Sequence, residues 1–140
     1  MIIKYTPYFL EDFTAVEYSP RLPVVFTNPK TKMEIRPFGL VDSGAGETML
    51  NVRLATSLGI RDVESGEKAL YGGVGGGVEG YRHALKMRMM WDPKEYDIVC
   101  SFADIADMDC LLGQNGFFEN FKVMFEKYNN QFEVVEKANT

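Results

Sequence analysis

One histidine, His83, and two cysteines, Cys100 and Cys110, are all the imidazole and thiolate ligands that the sequence offers, and a metal site would need more than these three. Each cysteine sits in an apolar context, DIVCSF and DMDCLLG, which predicts buried free thiols rather than a bridge. The start, MIIKYTPYFLEDF, lacks the basic beginning, long apolar centre and small-residue cleavage site of a secretory signal. No apolar run approaches the roughly 20 residues that span a bilayer. The default expectation is a cytoplasmic protein with no membrane span, no metal and no cofactor. Basic residues are also scarce, fifteen against twenty acidic ones, and the formal net charge of -5 disfavours nucleic acid or an anionic membrane as the main partner.

What is present suits a folded core. Apolar residues make up 46% and aromatics 13% of the chain, which argues against disorder, and 140 residues suit one domain, 1–140. Most segments read as strands. Leu22 to Phe26 and Met33 to Ile35 flank TNPKTK, whose Asn28-Pro29 marks a turn, so a hairpin is expected. Asn51 to Gly59 places Val52, Leu54, Ala55 and Leu58 at helical spacing with Gly59 as a stop, which predicts a helix. Glu67 to Tyr71 reads as a strand, as does RHALKMRMMW, where Leu85, Met87 and Met89 alternate with Lys86 and Arg88. Tyr96 to Phe102 and Cys110 to Leu112 follow. Asn115-Gly116 allows either a tight turn or a short helix that packs Phe117 and Phe118 inward. A terminal hairpin is expected from Phe121, Val123 and Phe125 against Phe132 and Val134, around KYNNQ.

Between two of these strands lies YGGVGGGVEGY, Tyr71 to Tyr81, and Gly75 to Gly80 satisfies the G-x-G-x-x-G pattern of nucleotide-binding loops. Such a fingerprint needs its glycines to open a helix whose N-terminus meets the phosphate, whereas these join two strands. No Gly-Lys-Ser/Thr follows, so a P-loop is excluded as well.

The sharpest chemical feature is Leu40-Val41-Asp42-Ser43-Gly44-Ala45, an apolar strand that delivers an acid and stops in three small residues. A carboxylate there is costly unless hydrogen-bonded, so it is either an ordinary turn aspartate or one placed for work. Three stretches bear on that choice. Asp42-Ser43-Gly44-Ala45, with Thr48 and Leu50 after it, resembles the catalytic Asp-Thr/Ser-Gly-Ala motif of the retropepsin-like aspartic proteases of viruses and cells. Gly72-Gly73-Val74-Gly75-Gly76 is similar to the glycine-rich flap of the retroviral enzymes. Leu111-Leu112-Gly113-Gln114-Asn115 resembles their later apolar-apolar-Gly signature. Order and spacing agree from Leu22 to Val135.

The resemblance implies an all-β acid-protease fold, a mainly antiparallel closed barrel with one or two short helices, and peptide hydrolysis by two carboxylates sharing one proton. Only one Asp-Ser/Thr-Gly is present; the nearest echo, Glu64-Ser65-Gly66, has the wrong acid and no apolar strand before it. The second aspartate would therefore come from a second copy, a two-fold homodimer acting on a peptide or protein substrate. In that reading Asp42 is catalytic. Ser43 bonds across the dimer axis or else only satisfies its own turn; Gly44 and Ala45 let backbone and substrate approach, and Thr48 supports the loop. Gly73, Val74, Gly75 and Gly76 form the substrate-binding flap, whose amides near Val74 and Gly75 contact an extended peptide. The alternative is a homodimeric peptide- or ligand-binding module without turnover.

Two departures from the viral pattern stand out. There an acid after the Ala pairs with an arginine after the late Gly; here those positions hold Gly46 and Gln114, so that ion pair is absent. Met1 to Arg21 has no clear counterpart and is expected to be an N-terminal extension, an edge strand or a dimer arm. Asp104, Asp107 and Asp109 lack the glycine and terminal Glu of a calcium loop and read as a solvated loop. His83 reads as structural, and Met87, Met89 and Met90 as core or pocket filling.

Overall fold

The computed structural model describes residues 1–10, 15–72 and 77–138. Its strands are Ile2–Lys4 (β1), Thr6–Phe9 (β2), Val16–Ser19 (β3), Arg21–Thr27 (β4), Glu34–Ile35 (β5), Phe38–Val41 (β6), Met49–Asn51 (β7), Glu67–Tyr71 (β8), Val78–Met89 (β9), Tyr96–Ala103 (β10), Cys110–Leu112 (β11), Phe121–Glu126 (β12) and Gln131–Glu136 (β13). Eight of them form one sheet in the order β5-β4-β6-β11-β7-β10-β9-β8, and β4 also pairs with β9. That extra pairing, Val24↔Met89 to Thr27↔Lys86, closes six strands into a ring. Most pairs are antiparallel; β10 with β7 and β11 with β6 are parallel. The all-β fold expected from the pattern is the one observed.

The alternation in β9 sets which face points inward. Leu85, Met87 and Met89 are buried, while Lys86 on the opposite face pairs with Asp97 at 2.6 Å. Met90 falls in the turn after the strand and is exposed, because the alternation that buries its neighbours stops at Met89. Inside the ring Leu22, Val24 and Phe26 of β4 meet Cys100 and Phe102 of β10, Leu112 of β11 and Phe117. Each fully buried side chain of this size contributes roughly 1.5–3 kcal/mol by leaving water. Both cysteines are buried and unlinked, as their apolar contexts predict.

The helix expected over Asn51–Gly59 is instead two 3-10 turns, Val52–Leu54 and Thr56–Leu58. Ala55, Leu58 and Gly59 donate to the carbonyls three residues back, of Val52, Ala55 and Thr56. The segment is too short to sustain an α-helix, and its end is held from outside, since Asn28 Nδ2 and Thr31 Oγ1 both donate to the Leu58 carbonyl at 2.8 Å. Gly59 stops it with φ of 73°, and a Cβ there would lie 2.7 Å from Thr31. Around Asn115-Gly116 neither a hairpin nor a regular helix forms. A run of turns leads to β12 and buries Phe117, which stacks on Phe121 at 5.2 Å between centroids.

Outside the ring, β1 pairs with β13 and β13 with β12 in a three-stranded sheet. The β12–β13 hairpin turns at Asn130, whose φ of 48° suits asparagine. Strands β2 and β3 form a separate two-stranded hairpin. Its foot reaches the ring at Pro20, whose carbonyl accepts the Val41 amide at 2.8 Å, one residue before Asp42.

Candidate active site

Strand β6 ends at Val41, and Asp42 follows half-buried at the rim of the ring. The strand stops because Ser43 and Gly44 turn the chain. Asp42 Oδ1 accepts the Gly44 amide at 2.9 Å and its carbonyl accepts the Ala45 amide at 3.1 Å. These local bonds let small residues close a tight turn while leaving the second carboxylate oxygen for other partners. Gly44 is exposed, and a Cβ on it would approach Asp42 Oδ1 to 3.2 Å, against the carboxylate itself.

The loop after Asp42 is braced by the late apolar-Gly segment. The Asp42 amide donates to the Leu112 carbonyl at 3.0 Å, Gln114 N to Ala45 O at 2.9 Å, and Asn115 N to Gly46 O at 3.0 Å. Gly113 lies so close that a Cβ would stand 2.3 Å from the Glu47 carbonyl oxygen and 2.7 Å from that of Ala45. Thr48, fully buried, donates through Oγ1 to the Asn115 carbonyl at 2.8 Å and accepts the Gly113 amide at 3.3 Å. The segments Asp42–Thr48 and Leu111–Asn115, far apart in sequence, thus form one unit.

Gly46 and Gln114 carry no charge, and the Gln114 side chain donates to the Ser43 carbonyl at 2.7 Å. The nearest acid is Glu47, one residue further on, and its cation comes from β9 rather than from the segment after Gly113. Glu47 Oε1 accepts from Arg82 Nε at 3.0 Å and Nη2 at 2.6 Å, and Oε2 accepts from the Tyr71 hydroxyl at 2.5 Å. The Ser101 hydroxyl lies 2.6 Å from that of Tyr71, and Arg82 Nη1 reaches Glu67 at 2.9 Å. Burial alone pushes the Glu47 carboxyl up, but the bonds from Arg82 and Tyr71 outweigh it and hold it below the ordinary range. Burial and the same carboxylate raise the Tyr71 phenol. These partners escape sequence reasoning, because Arg82 is 35 positions from Glu47 and comes near it through the pairing of β10 with both β9 (Ser101↔Arg82) and β7 (Ser101↔Met49). A lone acid inside the short loop after Asp42 is the one signal that could have drawn attention to it.

Of the residues predicted for the site, Asp42, Ser43, Gly44, Ala45 and Thr48 lie together in one loop. The flap residues Gly73, Val74, Gly75 and Gly76 lie outside the described residues; the strands on either side, β8 and β9, are antiparallel partners. Gly80, the last glycine of the G-x-G-x-x-G match, lies within β9 rather than opening a helix. His83 Nε2 is 2.7 Å from the Val63 carbonyl and its ring meets Phe102 edge-on, a structural setting. Asp109 pairs with Arg53. A cavity of about 840 Å³ is lined by Glu47, Arg82, Val99 and Asn115 among others, and not by Asp42.

No family model matches the sequence, and no curated protein matches it. Solved structures do. A retropepsin-like aspartic protease from Rickettsia conorii is similar at 20% identity, over 96% of this chain and 97% of that one, with a TM-score of 0.66. EIAV protease in complex with the inhibitor HBY-793 is similar at 24% identity over 70% of this chain and 84% of that one, with a TM-score of 0.52. The retroviral protease-like domain of Ddi1 from Leishmania major matches at 20% identity over 81% and 87%, with a TM-score of 0.53. The ring of strands, the Asp42 loop and the segment that braces it therefore make up the retropepsin-like aspartic protease fold.

Proposed function

We propose that the chain is an aspartic endopeptidase that works as a two-fold homodimer, with one Asp42 from each copy. The single observation that supports this best is the presentation of Asp42: half-buried at a strand end, with one oxygen held by the Gly44 amide and its loop braced by Leu112–Asn115. One chain supplies one carboxylate, and a second copy brings its equal to the axis. The two share a proton, since like charges that close do not both ionise, and they titrate as a pair.

In the proposed reaction the ionised carboxylate takes a proton from a water that attacks the scissile carbonyl, while the protonated one donates to the carbonyl oxygen. The tetrahedral intermediate collapses as the amide nitrogen gains a proton, and the C–N bond breaks. Ser43 holds the two loops together across the axis. Gly44 accepts from the peptide backbone through its carbonyl, and Ala45 leaves room for it. Gly73, Val74, Gly75 and Gly76, outside the described residues, are the substrate-binding flap of this reading, to which an extended peptide would add as a strand adds to a sheet edge.

The test is incubation of the protein with a mixed peptide library from mildly acidic to neutral pH, beside Asp42→Asn. Cleavage by the wild type alone is expected. Equal cleavage by both proteins overturns the mechanism, and cleavage by neither favours a binding module on the same fold. Sedimentation at high concentration is expected to show a dimer; a strict monomer cannot build the dyad.

A further inference from the structure

The loop that carries Asp42 is tied on two sides by different means. Among the described residues, the hydrogen bonds of residues 42–47 stay within the loop or run to Leu112–Asn115, apart from those of the Glu47 carboxylate. Glu47 alone reaches across to the β8–β9 hairpin, and its backbone bridges to Asn115 at the same time. Its side chain is 15% exposed and that of Arg82 29%, so the contact is partly shielded from water and salt. Two guanidinium nitrogens on one carboxylate oxygen, with a phenol on the other, fix the carboxylate in angle as well as distance.

The hairpin is shaped to receive this carboxylate. A Cβ at Gly80 would lie 2.4 Å from Ser101 Oγ and 2.7 Å from Tyr71 Cε2, so the missing side chain is what lets the Tyr71 ring cross β9 toward Glu47. Ser101, fully buried on β10, stands on the far side of the phenol. Glu67 takes the remaining Arg82 nitrogen, which leaves Arg82 neutralised from both sides. The loop, β8 and β9 thus meet at one carboxylate, with β10 joined to it through the Tyr71 hydroxyl.

We propose that Glu47 is a positioning residue: it sets the Asp42 loop against the β8–β9 hairpin, a contact separate from the backbone bonds that tie the loop to Leu112–Asn115. The proposal rests on the reading of Asp42 as catalytic. A displacement of about 1 Å in a reacting group costs on the order of a hundredfold in rate, so an anchor of this kind acts on turnover more than on substrate affinity.

The experiment compares the full-length wild type with Glu47→Gln and, as variants that bury no unpaired charge, Tyr71→Phe and Gly80→Ala. Two readouts are used: amide hydrogen exchange, and kcat and KM on a peptide cleaved in the library assay. Glu47→Gln is expected to speed exchange at 42–48 and 67–71 together by about tenfold, with the β12–β13 hairpin unchanged. It lowers kcat by on the order of ten- to a hundredfold with KM changed less than threefold. Tyr71→Phe and Gly80→Ala show the same pattern in smaller measure. Uniformly faster exchange across the chain, or unchanged exchange at 42–48, overturns the proposal, as does a loss confined to KM. If the wild type cleaves no peptide, the proteolytic reading fails, and exchange decides alone whether Glu47 anchors the loop.

Discussion

Thr48 Oγ1 donates to the Asn115 carbonyl while accepting the Gly113 amide, so one buried hydroxyl joins the Asp42 loop to the chain that braces it. Replacing Thr48 with Val keeps the shape and leaves the Gly113 amide without its partner, while the Asn115 carbonyl keeps the Thr48 backbone amide at 3.0 Å. A buried group left unsatisfied costs about 1–3 kcal/mol. Urea unfolding of Thr48→Val is expected to show a lower midpoint by that measure, with Thr48→Ser near the wild type.

Asp42→Asn separates chemistry from stability. The amide oxygen of Asn can still accept from Gly44 N, so the turn survives. Peptide cleavage is expected to vanish while the thermal midpoint moves by no more than about 2 °C, since the change creates no cavity and no buried charge. A large drop in the midpoint would assign Asp42 to the fold instead.

Gly113 admits no side chain, because the nearest atoms to its virtual Cβ are backbone of Glu47 and Ala45. Backbone on both sides cannot step aside as a flexible side chain can. Gly113→Ala is expected to cost about 1–3 kcal/mol or more by overpacking, read as a lower thermal midpoint and a lower soluble yield. Gly46→Ala, where a Cβ meets nothing within 4 Å, is the control and is expected to be silent.

The Glu47 carboxyl is held below its ordinary range in the folded chain. A depressed acid contributes stability that is fully present above its unfolded value, about 4.3, and is lost as pH falls through the folded one. Unfolding midpoints from about pH 3 to 6 are expected to fall below that value in the wild type and to fall less steeply in Glu47→Gln. Parallel curves would show that Glu47 makes no such contribution.

Burial pushes both thiols up, Cys100 and Cys110 alike. A thiol reagent is expected to label neither in the native protein and both in urea, since the reactive thiolate is absent and access is closed. Labelling of the folded protein within minutes would contradict this.

Much of the eight-stranded sheet was legible in the chain. Glu67–Tyr71 and the run from Leu85 to Met89 announce themselves because strand side chains alternate between faces, a pattern carried by adjacent positions. The stretch over Asn51–Gly59 misled, because helical spacing over nine residues does not specify how the turn closes, and the contacts of Asn28 and Thr31 with Leu58 shape its end. The turns at Asn115 likewise take their form from tertiary partners, Thr48 and the aromatic stack of Phe117 on Phe121.

The sequence by itself determined that an acid would follow a buried strand into three small residues, and that the glycines after Tyr71 would join strands rather than open a helix. Both are consequences of neighbouring residues, where local geometry and solvation act. Only the tertiary structure decided what holds the acid in place. Thr48 with Asn115 and Glu47 with Arg82 are contacts across 67 and 35 positions, and these exist only once the ring has closed and fixed the strand register. A hydrogen bond needs its partners placed to within a few tenths of an ångström, and no periodicity in a chain carries that information.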